Sequence, residues 1–139
     1  MEQGFHLTVL TPERAILEEE VYSIVAPGSV GYLGVLRNHA PLITTLAPGK
    51  LTVKDLNRAP RVYVSGAGFM EVSHNRVTIL VETLDPVEEI DLSQAIATRD
   101  WAETHLKQGL PSGEKAETVA VLKGARARIQ AKRNPGPSV

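Results

Sequence analysis

The sequence predicts an α+β protein: an N-terminal all-β unit, a sandwich or flattened barrel, followed by a C-terminal antiparallel two-helix hairpin. Three observations carry this. Before Asp91, apolar and polar residues alternate in short runs bounded by Gly, Pro, Asn or Ser, the mark of half-buried strands. After Asp91, apolar residues recur at three and four positions, the mark of amphipathic helices. The chain has 139 residues, 42% of them apolar, which fits one compact domain with an appendage and excludes wholesale disorder.

Phe5, Leu7 and Val9 alternate with His6 and Thr8, and Thr11-Pro12-Glu13 supplies a turn. Residues 21–26 (VYSIVA) form a β-branched run ended by Pro27-Gly28. Runs at 42–46, 51–56, 61–65, 68–72 and 77–82 follow. In the last, Val77, Ile79 and Val81 face one way and Thr78, Leu80 and Glu82 the other. His74-Asn75 reads as a hairpin tip, because Asn tolerates positive φ. Asp91 then caps a helix with the stripe Leu92, Ala95, Ile96, Ala102 and Leu106, and Gln94 stands where a capping box needs it. Gly109 and Pro111 stop that helix. Ser112 is the expected cap of a second helix, with the stripe Val119, Leu122, Ala125 and Ile129; Asn134-Pro135-Gly136-Pro137 ends it. The expected domains are 1–86 and 87–139, with 134–139 a flexible tail. Both stripes are rich in Ala, and at about 25 cal/mol per Å² they bury too little to hold the hairpin up alone. It must lean on the β unit or on a partner.

Fifteen Lys and Arg oppose sixteen Asp and Glu, so there is no general pull towards nucleic acid or anionic lipid. The absence of Cys removes disulfides, thiolate metal sites and thiol nucleophiles. No apolar run approaches the roughly 20 residues that span a bilayer. Acids follow the first apolar stretch and no small-residue cleavage site appears, so the start does not read as a signal peptide. The expectation is a soluble intracellular protein without direct membrane insertion.

Convergent chemistry is scarce. His6, His39, His74 and His105 show no metal-ligand spacing. Glu18 to Glu20 and Glu88-Glu89 are adjacent acids that point apart on a strand or loop, so solvated carboxylates are the simpler reading than an acid/base pair. Gly28, Gly31 and Gly34 sit in PGSVGYLGVL, but no Walker Lys-Ser/Thr follows and no helix opens there. Together with Gly66 and Gly68 they read as turn and bulge glycines. No Ser lies in a G-x-S-x-G context. The second helix is basic, with Lys115, Lys123, Arg126, Arg128, Lys132 and Arg133. Cations near a helix C-terminus suit the macrodipole, and the same face would suit an acidic partner. Nucleic acid is the alternative, although no aromatic residue is interleaved to stack bases. A small β-barrel hydrolase or isomerase built on His39 would need a deep pocket that nothing in the sequence announces.

Three stretches carry a family resemblance: LTVLTPERAILEEEVYSIVAPGSVGYLGVLRNHAPLITTLAPGKL (7–51), VYVSGAGFMEVSHNRVTILVE (62–82) and EEIDLSQA (88–95). The HAPL-x-T-x-L-x-PG signature from His39 to Gly49 and the segment SGAGFMEV are its specific parts. In these the chain resembles the epsilon subunit of the bacterial and chloroplast F-type ATP synthase. The resemblance implies a β-sandwich of about ten strands and a two-helix regulatory domain. It implies a non-catalytic rotor part at the foot of the central stalk, touching the gamma subunit and the c-ring and coupling proton-driven rotation to ATP synthesis. It also implies a peripheral place on the cytoplasmic face of a bacterial inner membrane, or on a thylakoid membrane, and no cofactor or metal.

On that resemblance the segment 31–41 is the expected contact with gamma and the c-ring, with Tyr32, Arg37 and His39 as candidates. The hairpin is implied to be a switch: folded on the sandwich it permits turnover, and extended along gamma it inhibits ATP hydrolysis. Arg126, Arg128, Lys132 and Arg133 would then meet acidic segments of the alpha/beta catalytic head. Some relatives bind ATP through an Ile/Leu-Asp-x-x-Arg-Ala motif. Here Ile90, Asp91, Ala95 and Arg128 match it, but Gln94 stands for the arginine and Gly124 for a second cation. Gln cannot neutralise phosphate charge, so nucleotide sensing is expected to be weak or absent.

Overall fold

A computed structural model describes residues 3–138 of the chain; Met1, Glu2 and Val139, which the expected domains and tail include, lie outside the described residues. Among the described residues nine strands precede two helices: β1 (Phe5–Leu10), β2 (Ala15–Gly28), β3 (Gly31–Val35), β4 (Leu42–Leu46), β5 (Gly49–Asp55), β6 (Pro60–Ser65), β7 (Gly68–Ser73), β8 (Arg76–Val81), β9 (Leu84–Pro86), α1 (Leu92–Leu106) and α2 (Ser112–Arg133). The fold class is the expected one, with nine strands in place of about ten.

The two layers share β2, which is why they form a sandwich. Its first half pairs with β1, from Phe5↔Val21 to Leu10↔Ala15. Its second half pairs with β5 on one side and β3 on the other. The first layer continues β1-β8-β7-β4, and the second β5-β6-β9. β1 and β8 run parallel, and the other pairs are antiparallel. Alternation sends Phe5, Leu7 and Val9 inward against Ile79, Met70, Ile24, Leu51 and Val53, all essentially without solvent contact. The β1–β2 turn closes on Thr11 and Arg14 through two backbone bonds of 2.9 and 3.2 Å. At the β7–β8 tip His74 and Asn75 both take positive φ (52° and 59°), the two-residue turn that matches strand twist.

Two glycine expectations need correction. Gly34 lies within β3 rather than in a turn, and Gly68 opens β7 rather than marking a bulge. A Cβ on Gly68 would stand 1.9 Å from the Leu80 carbonyl oxygen, so the close approach of β8 is what demands glycine there. Gly28 and Gly31 do flank a tight turn, the Ser29-Val30 link between β2 and β3.

A 3-10 turn (Val87–Glu89) leads to the helices. Asp91 caps α1, its Oδ1 accepting from the Gln94 N–H at 3.1 Å. Ser112 is not the cap of α2: Pro111 occupies that place with extended ψ, and Ser112 is already helical. The expected stripes face each other, with Ala95, Ala102, Leu122, Ala125 and Ile129 buried between the helices. α2, rather than α1, meets the sandwich along β5 and β6. Beyond it, 134–138 lies against β5.

Candidate functional site

The expected contact residues lie at two different ends of the sandwich. Arg37 and His39 belong to the loop after β3. His39 Nδ1 lies 2.7 Å from the Ala40 carbonyl, and its backbone N–H donates to Leu36 at 3.2 Å. The Asn38 N–H donates to Asn75 Oδ1 at 2.8 Å, and Asn75 Nδ2 donates to the Gly4 carbonyl at 3.0 Å, so one side chain ties this loop to the β7–β8 tip. Arg37 lines a cleft of about 380 Å³ with Leu36, Tyr22 and Arg58, whose guanidinium sits 4.4 Å from the Tyr22 ring centre. Tyr32 is at the other end of β3, about 10 Å from Val35 at the rise of an extended strand. Its hydroxyl accepts from the Lys50 N–H at 3.1 Å. The structure therefore groups Arg37 with His39 and sets Tyr32 beside the hairpin seat.

That seat has an apolar centre and a polar rim. Val64 from β6, Val87 and Ile90 from the linker, and Ala131 from α2 form a buried cluster, with Val62 and Ala127 packed on it. Around it Arg128 Nη1 donates to Asp85 Oδ2 at 3.0 Å, and Lys132 Nζ donates to the carbonyls of Glu88 (3.2 Å) and Val87 (3.4 Å). Arg126 lies 3.7 Å from Glu103 of α1. Arg133 is exposed at the end of α2. Of the four expected head-binding cations, one is thus spent on the sandwich, one on the linker and one on the neighbouring helix.

The same cluster explains the nucleotide-motif residues. Ile90 is buried in the seat, Ala95 lies between the helices, Asp91 caps α1, and Arg128 already holds a carboxylate. At Gly124 an added Cβ would meet nothing within 4 Å, so a cation would have room there, but the chain supplies none.

Next to the seat, Arg61 of β6 pairs with Glu19 of β2. Burial opposes the Arg61 charge, yet the Glu19 bond and nearby charges leave its pKa raised. Burial pushes the Tyr63 phenol up, with Arg61 pulling the other way. Among the described residues no group of three His, Asp or Glu is placed to hold a metal.

A second surface was only half visible in the sequence. On the outer face of β4, β7 and β8, Ile43 is 74%, Phe69 57% and Leu80 47% exposed. Phe69 and Leu80 are direct cross-strand partners, and with Pro12, Thr45 and Ala67 they line an apolar cleft of about 610 Å³. Such a patch on a small domain marks an interface. Leu80 on the solvent phase of its strand was the available signal. Asp85 and Lys50, which the sequence does not single out, are missed because their partners lie 43 and 84 or more positions away.

Residues 4–87 match the family described as ATP synthase, Delta/Epsilon chain, beta-sandwich domain. The ATP synthase epsilon chain of Moorella thermoacetica is 45% identical over 129 residues, 92% of this chain and 96% of that one. The chain belongs to the ATP synthase epsilon family. Another epsilon chain, from Nitratidesulfovibrio vulgaris, is 40% identical over 96% of this chain and 99% of its own length. Among solved structures, a chain of the Euglena gracilis mitochondrial ATP synthase, OSCP/F1/c-ring, superposes with a TM-score of 0.81 at 26% identity, covering 93% of this chain and 81% of that one. A chain from the Tetrahymena thermophila mitochondrial ATP synthase central stalk/c-ring has a TM-score of 0.68 at 17% identity over 94% and 98% of the two chains, a likeness of fold alone. The epsilon-family sandwich and the helical hairpin are therefore both accounted for along nearly the whole chain. No helix among the described residues is long and apolar enough to cross a membrane.

Proposed function

We propose that this epsilon-family chain is a non-catalytic rotor part of the ATP synthase central stalk, with a docking domain (1–86) and a regulatory hairpin (87–139). The sandwich would bind the gamma subunit through the apolar face of Ile43, Phe69 and Leu80. It would meet the c-ring through an end loop, with Arg37 and His39 at one end and Tyr32 at the other as candidates. Carried by these partners, it would sit peripherally at the membrane and couple proton-driven rotation to ATP synthesis. The hairpin, docked here, would detach and extend to inhibit ATP hydrolysis, presenting Arg126, Arg128, Lys132 and Arg133 to acidic segments of the alpha/beta head.

The observation that carries this reading is the seat. A six-residue apolar contact with a polar rim seats an Ala-rich hairpin on the sandwich. An even balance between docked and free hairpin needs only about 2.7 kcal/mol of differential contact to reach about 99:1. Arg128 and Lys132 would exchange Asp85 and the linker carbonyls for carboxylates of the head, so docking and inhibition compete for the same cations. That competition also weakens the nucleic-acid alternative, since three of the six basic side chains of α2 are already engaged within the chain.

The test is the assembled enzyme lacking residues 91–139. Coupled synthesis should persist and ATP hydrolysis should rise; an unchanged hydrolysis rate would remove the regulatory reading. Because Asp85 already neutralises Arg128, the hairpin docks without nucleotide, and calorimetry with MgATP should show no micromolar binding to the chain.

A further inference from the structure

The segment after α2 is bound to β5. Lys50 Nζ, reaching out from β5, donates to the Asn134 carbonyl at 2.6 Å and to the Gly136 carbonyl at 2.7 Å. Two residues further the Ser138 N–H donates to Thr52 Oγ1 at 3.0 Å, and Thr52, only 1% exposed, lies beneath it. Lys50 and Thr52 are i and i+2 on one strand and share a face, so β5 grips the passing chain at two successive places. Pro135 and Pro137 between these grips line a cleft with Pro60, Tyr63 and Pro86 of the sandwich and Val87 of the linker. Each proline fixes its own φ and lacks an N–H, so this stretch has few conformations to lose on docking and its prolines add no donor to be paired against the strand.

We propose that residues 134–138 are a strap that holds the hairpin down on the sandwich, with Lys50 as its clasp. The strap continues directly from α2, so releasing it frees the last turn, where Lys132 and Ala131 make their own contacts with the linker and the seat. The clasp also reaches the Tyr32 end of the sandwich. The backbone N–H of Lys50 is held by the Tyr32 hydroxyl, which places the clasp next to the β2–β3 turn. This rests on the reading that the hairpin leaves the sandwich, and the experiment separates the two.

The chain has no cysteine, so spin labels at Lys123→Cys on α2 and Asn57→Cys in the β5–β6 turn, both exposed, report hairpin position without background. The full chain is compared with a chain ending at Arg133, with Lys50→Met, with Lys50→Arg and with Ala131→Asp, which places a carboxylate in the seat. Deleting the strap and Lys50→Met should each raise the detached-to-docked ratio about fivefold, the scale of a charge-assisted contact partly exposed to water. Combining them should add nothing further, as expected for one shared interaction. Lys50→Arg, which keeps the donors, should restore most of the docked population. A strap-deleted chain as docked as the full one, while Ala131→Asp is detached, overturns the strap and leaves the switch standing. If Ala131→Asp also stays docked, detachment itself is refuted and the strap with it. Should Lys50→Met lower the melting temperature of the sandwich, the truncation, which leaves Lys50 in place, decides alone.

Discussion

Ala131→Asp probes how the hairpin is attached. Ala131 is 3% exposed and faces Val64, Val87 and Ile90, which are 2%, 6% and 3% exposed. A carboxylate there has no cation in the apolar cluster, and burying it would cost several kcal/mol. Detaching the hairpin instead re-exposes part of three aliphatic side chains. At 1.5–3 kcal/mol for full burial of each, with about half of that coming from the helix, the loss is about 3 kcal/mol. Detachment is the cheaper escape. The sandwich keeps its own seventeen-residue core, none of which belongs to the hairpin. Limited trypsin digestion reads this out, because α2 carries Lys123, Arg126 and Arg128 and cleavage follows the open population. A shift of about 3 kcal/mol should speed cleavage in α2 by about 150-fold while a sandwich fragment survives. Equal acceleration in sandwich and hairpin would show a single cooperative unit and refute the two-part attachment.

Gly68→Ala should cost several kcal/mol in urea unfolding, because its Cβ meets the Leu80 backbone at 1.9 Å, whereas Gly34→Ala, with nothing nearer than 3.9 Å, should change stability by less than about 1 kcal/mol. Asp91→Ala should destabilise α1 by about 1 kcal/mol through loss of the cap, and Ser112→Ala, at a first helical position without a cap bond, should leave thermal unfolding of the hairpin nearly unchanged. Tyr63 has a folded pKa raised above its ordinary value of 10.0. Its unfolded form therefore ionises first as pH rises, so stability should be intact below that value and fall above it, and Tyr63→Phe should flatten that part of a stability-against-pH curve.

The sandwich was legible wherever alternation was clean, as in β1, β4 and β8. β3 was hidden because GYLGV carries glycines at positions where a strand usually shows branched residues. β9 was hidden because it is three residues long and ends in Pro. The β-branched run shows β2 only from Val21, because the acids Glu18 to Glu20 fit a strand or a loop equally well. In fact Glu18 and Glu20 point to solvent beside His6, and Glu19 turns the other way to Arg61. The helix boundaries follow from Asp91 and Gly109, but the Pro111-Ser112 start does not, because Ser is a preferred cap and here the helix begins one residue early, with Pro111 at the cap position. What lay beyond the sequence was pairing at a distance. The short strand β9 places Asp85 under Arg128, and β5 places Lys50 under the strap; neither acid nor lysine stands out in a list of charged residues. The apolar face of Phe69 and Leu80 was similarly split between two strands that only the register unites.

The most direct test locks the hairpin where it is. Asp85→Cys and Arg128→Cys replace an ion pair of 3.0 Å, and a short bismaleimide can bridge them in a chain with no other thiol. In the assembled enzyme the bridged form should hydrolyse ATP as fast as enzyme lacking residues 91–139, and the unbridged form should remain inhibited. Bridged enzyme that is as inhibited as the unbridged would contradict a hairpin that regulates by leaving its seat.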